Sequence, residues 1–266
     1  MYHSNPIVSD VIGQFRSIEL LTQSFADSSE SFETRGLLIS GDAGMGKTHA
    51  VARGLSSANP KKVVPIQASS VSAARFYAEL YECREPGSVL VIDDVDIIHK
   101  SQAELSQFLD LIKGATEMTS GPRQLQWLRT TKNTFLASHN IPDSFDFQGS
   151  LIWITNDTFE EIAKKAKGHW HAIKSRFLTK QFHLEHYEKV QYTLYLITEQ
   201  GMLGENCNVN GGGFSEDIIN TTTKYIQKNW KKFEDMTPRN ALQIASIMNR
   251  FEDWETFVES QMLIKE

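Results

Sequence analysis

Apolar residues along the chain gather into five short runs: "RGLLIS" (35 to 40), "KKVVPIQ" (61 to 67), "SVLVIDD" (88 to 94), "SLIWITND" (150 to 157) and "KQFHLEH" (180 to 186). Most are nearly continuous rather than alternating, the pattern of strands covered on both faces. Between them lie stretches of helical character, "GKTHAVARGL", "SVSAARFYAELYE", "QAELSQFLDLIKGA" and "FEEIAKKAKGHWHAIKSRF". Strand alternating with helix predicts an α/β unit with a five-stranded parallel sheet over residues 1–184. From about residue 185 only helical periodicity remains, in "EHYEKVQYTLYLITEQGML", "SEDIINTTTKYIQKNWKKFE" and "TPRNALQIASIMNRFEDWETFVESQM". Residues 185–266 therefore form a small all-helical domain, its first helix set off by the loop "GENCNVNGGGF". Thr237 and Pro238 suit an N-cap and first helical position, which puts Arg239 in the first turn of the last helix.

One segment breaks the alternation. Residues 119–149, "TSGPRQLQWLRTTKNTFLASHNIPDSFDFQG", are too long for a plain connection. "QLQWLR" and "TFLASHN" flank "TTKN", which predicts a hairpin with Asn133 at positive φ in the turn. No Asp or Glu occurs from 119 to 138, while Arg123, Arg129 and Lys132 are cationic, and Trp127 either stacks on a base or packs inward. A second acid-free run, 162–184, carries Lys164, Lys165, Lys167, Lys174, Arg176 and Lys180. It reads as a surface for subunit association, meeting the acidic face of a neighbouring subunit.

Composition narrows the classes. The 266 residues are 40% hydrophobic and 23% charged, as in ordinary soluble globular chains. A net charge of −6 argues against a basic coat for wrapping duplex DNA, so any nucleic-acid contact must be focal. Cys83 and Cys207 stand far apart with no CxxC, so neither a disulfide framework nor a zinc site is expected, and a reduced cytoplasmic setting is. His169 and His171, two apart, do not share a helix face and are not read as metal ligands. Neither a basic-then-apolar leader nor a run of roughly 18 apolar residues is present, so no membrane association is expected.

The strongest chemistry lies in "GDAGMGKTHA", residues 41–50, placed after an apolar strand and at the start of a helical pattern. There a GxxxxGK[ST] loop has a mechanism. Gly41, Gly44 and Gly46 let the backbone curl so that amides from Gly41 through His49, including those of Asp42, Ala43 and Met45, face phosphate oxygens at a helix N-terminus. Lys47 reaches the β and γ phosphates and Thr48 ligates magnesium through its hydroxyl. "SVLVIDDVD" supplies the complement: Asp93, at the carboxyl end of a strand, holds magnesium through water, and Asp94 orients and deprotonates the attacking water. Asp96 reads as a helix-start carboxylate.

Together these residues resemble the AAA+ ATPases, within the P-loop NTPases, over nearly the whole chain. "LIWITND" resembles the strand ending in a polar sensor-1 residue, here Asn156. "AIKSRF" resembles the segment presenting an arginine finger, here Arg176, with Lys174 its nearest rival, and "TPRNAL" resembles the sensor-2 helix start, with Arg239. The resemblance implies an αβα core followed by a helical lid with ATP between them, magnesium as cofactor, and self-assembly into a hexameric ring or helical array in which a neighbour contributes Arg176. The insert resembles the pre-sensor-1 hairpin of one AAA+ branch, which makes Trp127, Arg129 and Lys132 candidates to face DNA, RNA or a protein in a central pore. Asp94 stands where the family usually has glutamate, which implies slow or partner-dependent hydrolysis. "ASSVSAARFYAEL" lacks the aromatic, apolar, glycine triplet of protein-threading members. The functions implied are remodelling or loading of a nucleic-acid machine of phage or mobile-element type, a chaperone-like remodeller, or an ATP-dependent scaffold.

Overall fold

The computed structural model describes residues 2–27, 34–58, 60–67, 71–119, 121–127, 133–207 and 212–264. They fall into two compact units, one of Arg16–Gly41 and Lys47–Phe182, the other of Met1–Phe15, Asp42–Gly46 and His183–Glu266.

The larger unit is built on five parallel strands, β1 (Gly36–Gly41), β2 (Lys62–Ile66), β3 (Ser88–Asp93), β6 (Ser150–Thr155) and β7 (Phe177–Phe182), in the order β2-β3-β6-β1-β7. Every residue of β1, β3 and β6 is buried, as their continuous apolar runs require of strands with helices on both faces. Strand β2 lies at the edge, mostly exposed, and can therefore carry Pro65, whose missing N–H breaks no inner ladder. Helices α2 (Lys47–Ala58), α3 (Ala73–Glu82), α4 (Gln102–Ala115), α6 (Phe159–Ala166) and α7 (Trp170–Arg176) connect the strands. Tyr77, Phe76, Phe108 and Trp153 are among the largest side chains of the core. The C-terminal part of α1 (Pro6–Ala26) packs so closely on α2 that a Cβ at Gly54 would lie 2.5 Å from the Glu19 carbonyl oxygen. Only glycine permits that approach.

Four expectations are corrected here. The helical stretch 159–177 is two helices rather than one: Lys167 at φ 43° ends α6, and a 3-10 turn (Lys167–His169) restarts the chain into α7. The last strand is accordingly Phe177–Phe182 rather than 180 to 186. Asp96 starts no helix; α4 begins at Gln102, where Ser101 accepts from the Glu104 amide at 3.4 Å. Among the described residues the insert does not form the hairpin expected around "TTKN". Its strands are β4 (Arg123–Gln126) and β5 (Ser144–Phe147), antiparallel, with Leu125 opposite Phe145, while "TFLAS" is the short helix α5 (Thr134–Ser138). Asn133 has φ −79° and caps α5, its Oδ1 accepting from the amides of Phe135 and Leu136. An Asn that can satisfy two helix-start amides favours the cap over the turn. Strand β5 wins the pairing because Phe145 and Phe147 alternate onto the core.

The smaller unit contains α8 (His186–Thr198), α9 (Glu216–Asn229), α10 (Pro238–Met248) and α11 (Trp254–Met262) around Val190, Leu194, Ile226, Phe233, Ala241, Ile244 and Val258. Thr237 and Asn240 form a capping box on α10 with Pro238 at its start, so Arg239 sits in the first turn.

Candidate functional site

Register brings three strand ends together in the larger unit. Ser40 pairs with Thr155 and Asp93 with Ile154, which sets Gly41, Asn156 and Asp94 side by side at the carboxyl edge of the sheet. Carboxyl ends at such an edge are where open α/β sheets bind ligands. Lys47, the first residue of α2, is buried; its Nζ donates to the Gly41 carbonyl oxygen at 2.6 Å and to Asn156 Oδ1 at 2.9 Å. The Asn156 amide then donates from Nδ2 to Asp94 Oδ1 at 3.0 Å. A cation and a carboxylate are thus joined through one amide, whose orientation is fixed because it accepts at one end and donates at the other. Beside them the Thr48 hydroxyl donates to Asp93 Oδ2 at 2.9 Å. Asp93 is buried whereas Asp94 is exposed, and Asp94 has φ 54°, a left-handed conformation that Asp tolerates better than most side chains. Strand alternation ends there, and the two adjacent carboxylates take different environments.

In the smaller unit, Gly44 (φ 75°) and Gly46 (φ 102°) supply the curl of the loop after β1. A Cβ at Gly44 would meet Thr237 Oγ1 at 3.0 Å and Arg239 Cβ at 3.1 Å, so the first turn of α10 lies against this glycine. Arg239 is exposed and lines an open cavity of about 680 Å³ with Asp235, Asn240 and Gln243. Of the other loop residues, Met45 is buried and Ala43 exposed; in the larger unit, Thr48 and His49 at the start of α2 are exposed.

Asp42 has a partner that no motif announces. Lys189 of α8, 9% exposed, donates to Asp235 Oδ1 at 3.0 Å and lies 3.0 Å from Asp42 Oδ2. Burial alone would lower the pKa of this ammonium, but the hydrogen bonds and charges of Asp235 and Asp42 more than offset that and leave it raised. Because the folded value exceeds the unfolded one, the stabilisation is complete below the ordinary lysine value of 10.5 and is lost as pH rises through the folded value. Urea midpoints of the wild type are expected to fall above about pH 10.5 more steeply than those of Lys189→Met, with the variant less stable at neutral pH by about 1–2 kcal/mol. Parallel curves for the two proteins would remove Lys189 from this role.

Arg176, at the end of α7, is held inside its own unit. Its Nε and Nη2 donate to Glu117 Oε2 at 3.0 and 2.6 Å, and Nη1 to the Ala172 carbonyl oxygen at 2.9 Å. Lys174 is exposed. Of the insert candidates, Trp127 packs inward, its ring centroid 5.4 Å from that of Tyr77. Arg129 and Lys132 lie outside the described residues. Arg123 is not a solvated cation: it is buried, donating from Nε to the Phe147 carbonyl oxygen at 3.2 Å and from Nη2 to that of Gly149 at 3.0 Å, and burial pulls its pKa down to about 10. Lys189, Asp235 and Glu117 are the residues that sequence reasoning missed, since each acts through a partner distant in the chain.

A glycine loop after β1, paired carboxylates ending β3, an amide ending the strand between them, the order β2-β3-β6-β1-β7 and a C-terminal group of helices decide the architecture. This is the parallel α/β core with a helical C-terminal unit that the sequence resemblance implies. No protein-family profile matches the chain. Over 227 residues it is 26% identical to an uncharacterised 36.7 kDa protein of Enterobacteria phage T4, encoded in the nrdC–mobD intergenic region, covering 83% of this chain and 66% of that protein. Among solved structures it is similar to the RuvB Holliday junction branch migration motor of Thermotoga maritima, at 14% identity and a TM-score of 0.46, covering 96% of this chain and 65% of that one. It is also similar to NtrX of Brucella abortus in complex with ATP, at 15% identity and a TM-score of 0.45, covering 91% and 50%. The chain thus spans about half to two thirds of the length of these proteins. No helix among the described residues is long and apolar enough to cross a membrane.

Proposed function

We propose that this chain binds and hydrolyses ATP with magnesium and, as a homo-oligomer, uses the cycle to remodel or load a nucleic-acid complex. The observation that carries the reading is the joined set Lys47–Asn156–Asp94 with Thr48–Asp93 at neighbouring strand ends. Phosphoryl transfer asks for positioned charge and little covalent chemistry, and this set supplies a buried cation, a polar amide and two carboxylates in different environments.

In this reading Lys47 leaves the Gly41 carbonyl oxygen and Asn156 for the phosphates, while the amides of the loop hold their oxygens. Thr48 and Asp93 offer hard oxygen donors 2.9 Å apart, a pair that fits magnesium, which keeps most of its waters. Bound there, magnesium would neutralise charge on the phosphates. Asp94 orients a water and takes its proton; Asn156, already bonded to Asp94, sets the direction of that carboxylate. The exposure of Arg239 beside the loop glycine supports reading it as a residue that meets phosphate charge. The oligomer, the role of Arg176 across its interface and a nucleic-acid target extend the reading and rest on the resemblance alone.

A second reading, an ATP-dependent scaffold with slow turnover, is favoured by the short arm of Asp94 and its engagement by Asn156. Phosphate release measured with and without single-stranded DNA, beside light scattering for assembly, separates the two. Magnesium-dependent release that Lys47→Met abolishes is the expected result. Assembly on ATP without release would favour the scaffold, and no magnesium-dependent ATP binding would overturn both.

A further inference from the structure

Residues 224–232 read "KYIQKNWKK", four lysines and no carboxylate in a chain of net charge −6. Lys224 and Lys228 stand one helical turn apart on α9, and Lys231 and Lys232 follow in the 3-10 turn Trp230–Lys232. All four are exposed, while Thr222, Tyr225, Ile226 and Asn229 are the buried residues of the same helix. Lys189, the lysine that the unit uses structurally, lies between two carboxylates. No ion pair engages any of these four among the described residues.

An aromatic step borders these lysines. Tyr187, in the first turn of α8, is 44% exposed, its ring centroid 5.3 Å from that of Trp230. Trp230 is half-buried and backed by His186, whose ring stacks on it at 5.9 Å and whose Nε2 lies 2.7 Å from the Trp230 carbonyl oxygen. The Lys231 ammonium sits 5.4 Å from the Trp230 ring centroid. Nearby carboxylates are engaged elsewhere: Glu188 accepts the Glu185 amide at 2.8 Å in the helix cap, and Asp235 pairs with Lys189. Glu185 and Glu234, both exposed, flank the patch in sequence.

We propose that this face of the smaller unit binds single-stranded nucleic acid, with phosphates on these lysines and one base on Tyr187. Unpaired ammonium groups attract any polyanion, by releasing its counterions. An exposed ring beside them selects for single strands, because only an unpaired base offers its face. Duplex DNA or an acidic protein segment would use the lysines and leave the ring idle. The site makes no use of Lys47, Asp93 or Asp94, so it stands or falls separately from ATP hydrolysis.

The test is fluorescence anisotropy of the full chain with a labelled oligothymidylate of about twenty nucleotides, across a salt series, without ATP. Lys228→Ala with Lys232→Ala is expected to weaken binding about tenfold and flatten the slope of log affinity against log salt by about 1.4, at about 0.7 per phosphate contact. Tyr187→Ala is expected to weaken binding about tenfold with the slope unchanged, and Tyr187→Phe to bind as the wild type does. Photocrosslinking of 5-iodouracil DNA to the wild type, mapped to the peptide holding Tyr187, reads the same contact without any variant. No binding by the wild type, unchanged affinity in the lysine and Tyr187→Ala variants, or a crosslink confined to another peptide would overturn the proposal. Equal competition by duplex DNA or by polyglutamate would overturn it in favour of a plain anionic partner.

Discussion

Asp94→Asn is expected to bind ATP as tightly as the wild type while releasing phosphate about 10²–10⁴-fold more slowly, the usual contribution of a positioned general base. The substitution keeps shape and removes charge. Asn156 donates to Asp94 Oδ1, and an asparagine side-chain oxygen accepts the same bond, so the strand end and its left-handed turn need not move. What disappears is the proposed proton acceptor. Asp93→Asn is the contrasting case: Asp93 is buried, with the Thr48 hydroxyl donating to it, so its loss should appear as weaker magnesium-dependent nucleotide binding. Equilibrium binding of a fluorescent ATP analogue and single-turnover phosphate release separate the two. A slowing of less than threefold in Asp94→Asn, or an equal loss of binding in both variants, would assign the base elsewhere.

The sheet was legible because its central strands are buried on both faces and spell that out as unbroken apolar runs, "LLIS", "VLVID" and "LIWIT". The loop and its carboxylates could be picked out for a related reason: the groups proposed to meet phosphate come from consecutive residues or from the ends of those same strands. Helix α1 went unread although Val8, Val11, Phe15 and Ile18 recur at helical spacing, a signal that a longer window would have caught. The insert failed differently. "TTKN" suits a turn, but the residue that decides is Asn133, and whether it closes a turn or caps a helix depends on which later segment offers an apolar face. Phe145 and Phe147 offer it. The burial of Arg123 was not legible because a guanidinium is buried only where carbonyl oxygens converge, here those of Phe147 and Gly149, and such convergence has no local signature. Lys189 was invisible for the same reason. Its carboxylates come from the loop after β1 and from the segment before α10, and only the fold brings them to one ammonium.

Arg176→Ala is expected to cut ATP hydrolysis by the assembled protein about 10³–10⁵-fold, the range for an arginine that stabilises phosphoryl-transfer charge, while leaving ATP affinity nearly unchanged. The guanidinium is engaged within its own unit by Glu117 and the Ala172 carbonyl oxygen, so acting on a neighbour's nucleotide requires that hold to open. Glu117 is nearly half exposed, so its pairing with Arg176 is solvent-screened and worth little, easily exchanged for a phosphate. Two further variants test that account. Glu117→Gln loosens the hold without touching Arg176, and should bring the concentration for half-maximal hydrolysis below that of the wild type. Mixing Arg176→Ala with Asp94→Asn should restore activity, because sites between unlike subunits then combine an intact carboxylate with an intact guanidinium. Mixtures no more active than their parents would show that the arginine does not act across an interface, and the Glu117 contact would then be a fixed brace of α7. Recovery in the mixtures with no shift in Glu117→Gln would keep the arginine in its role and discard the hold as a control on it.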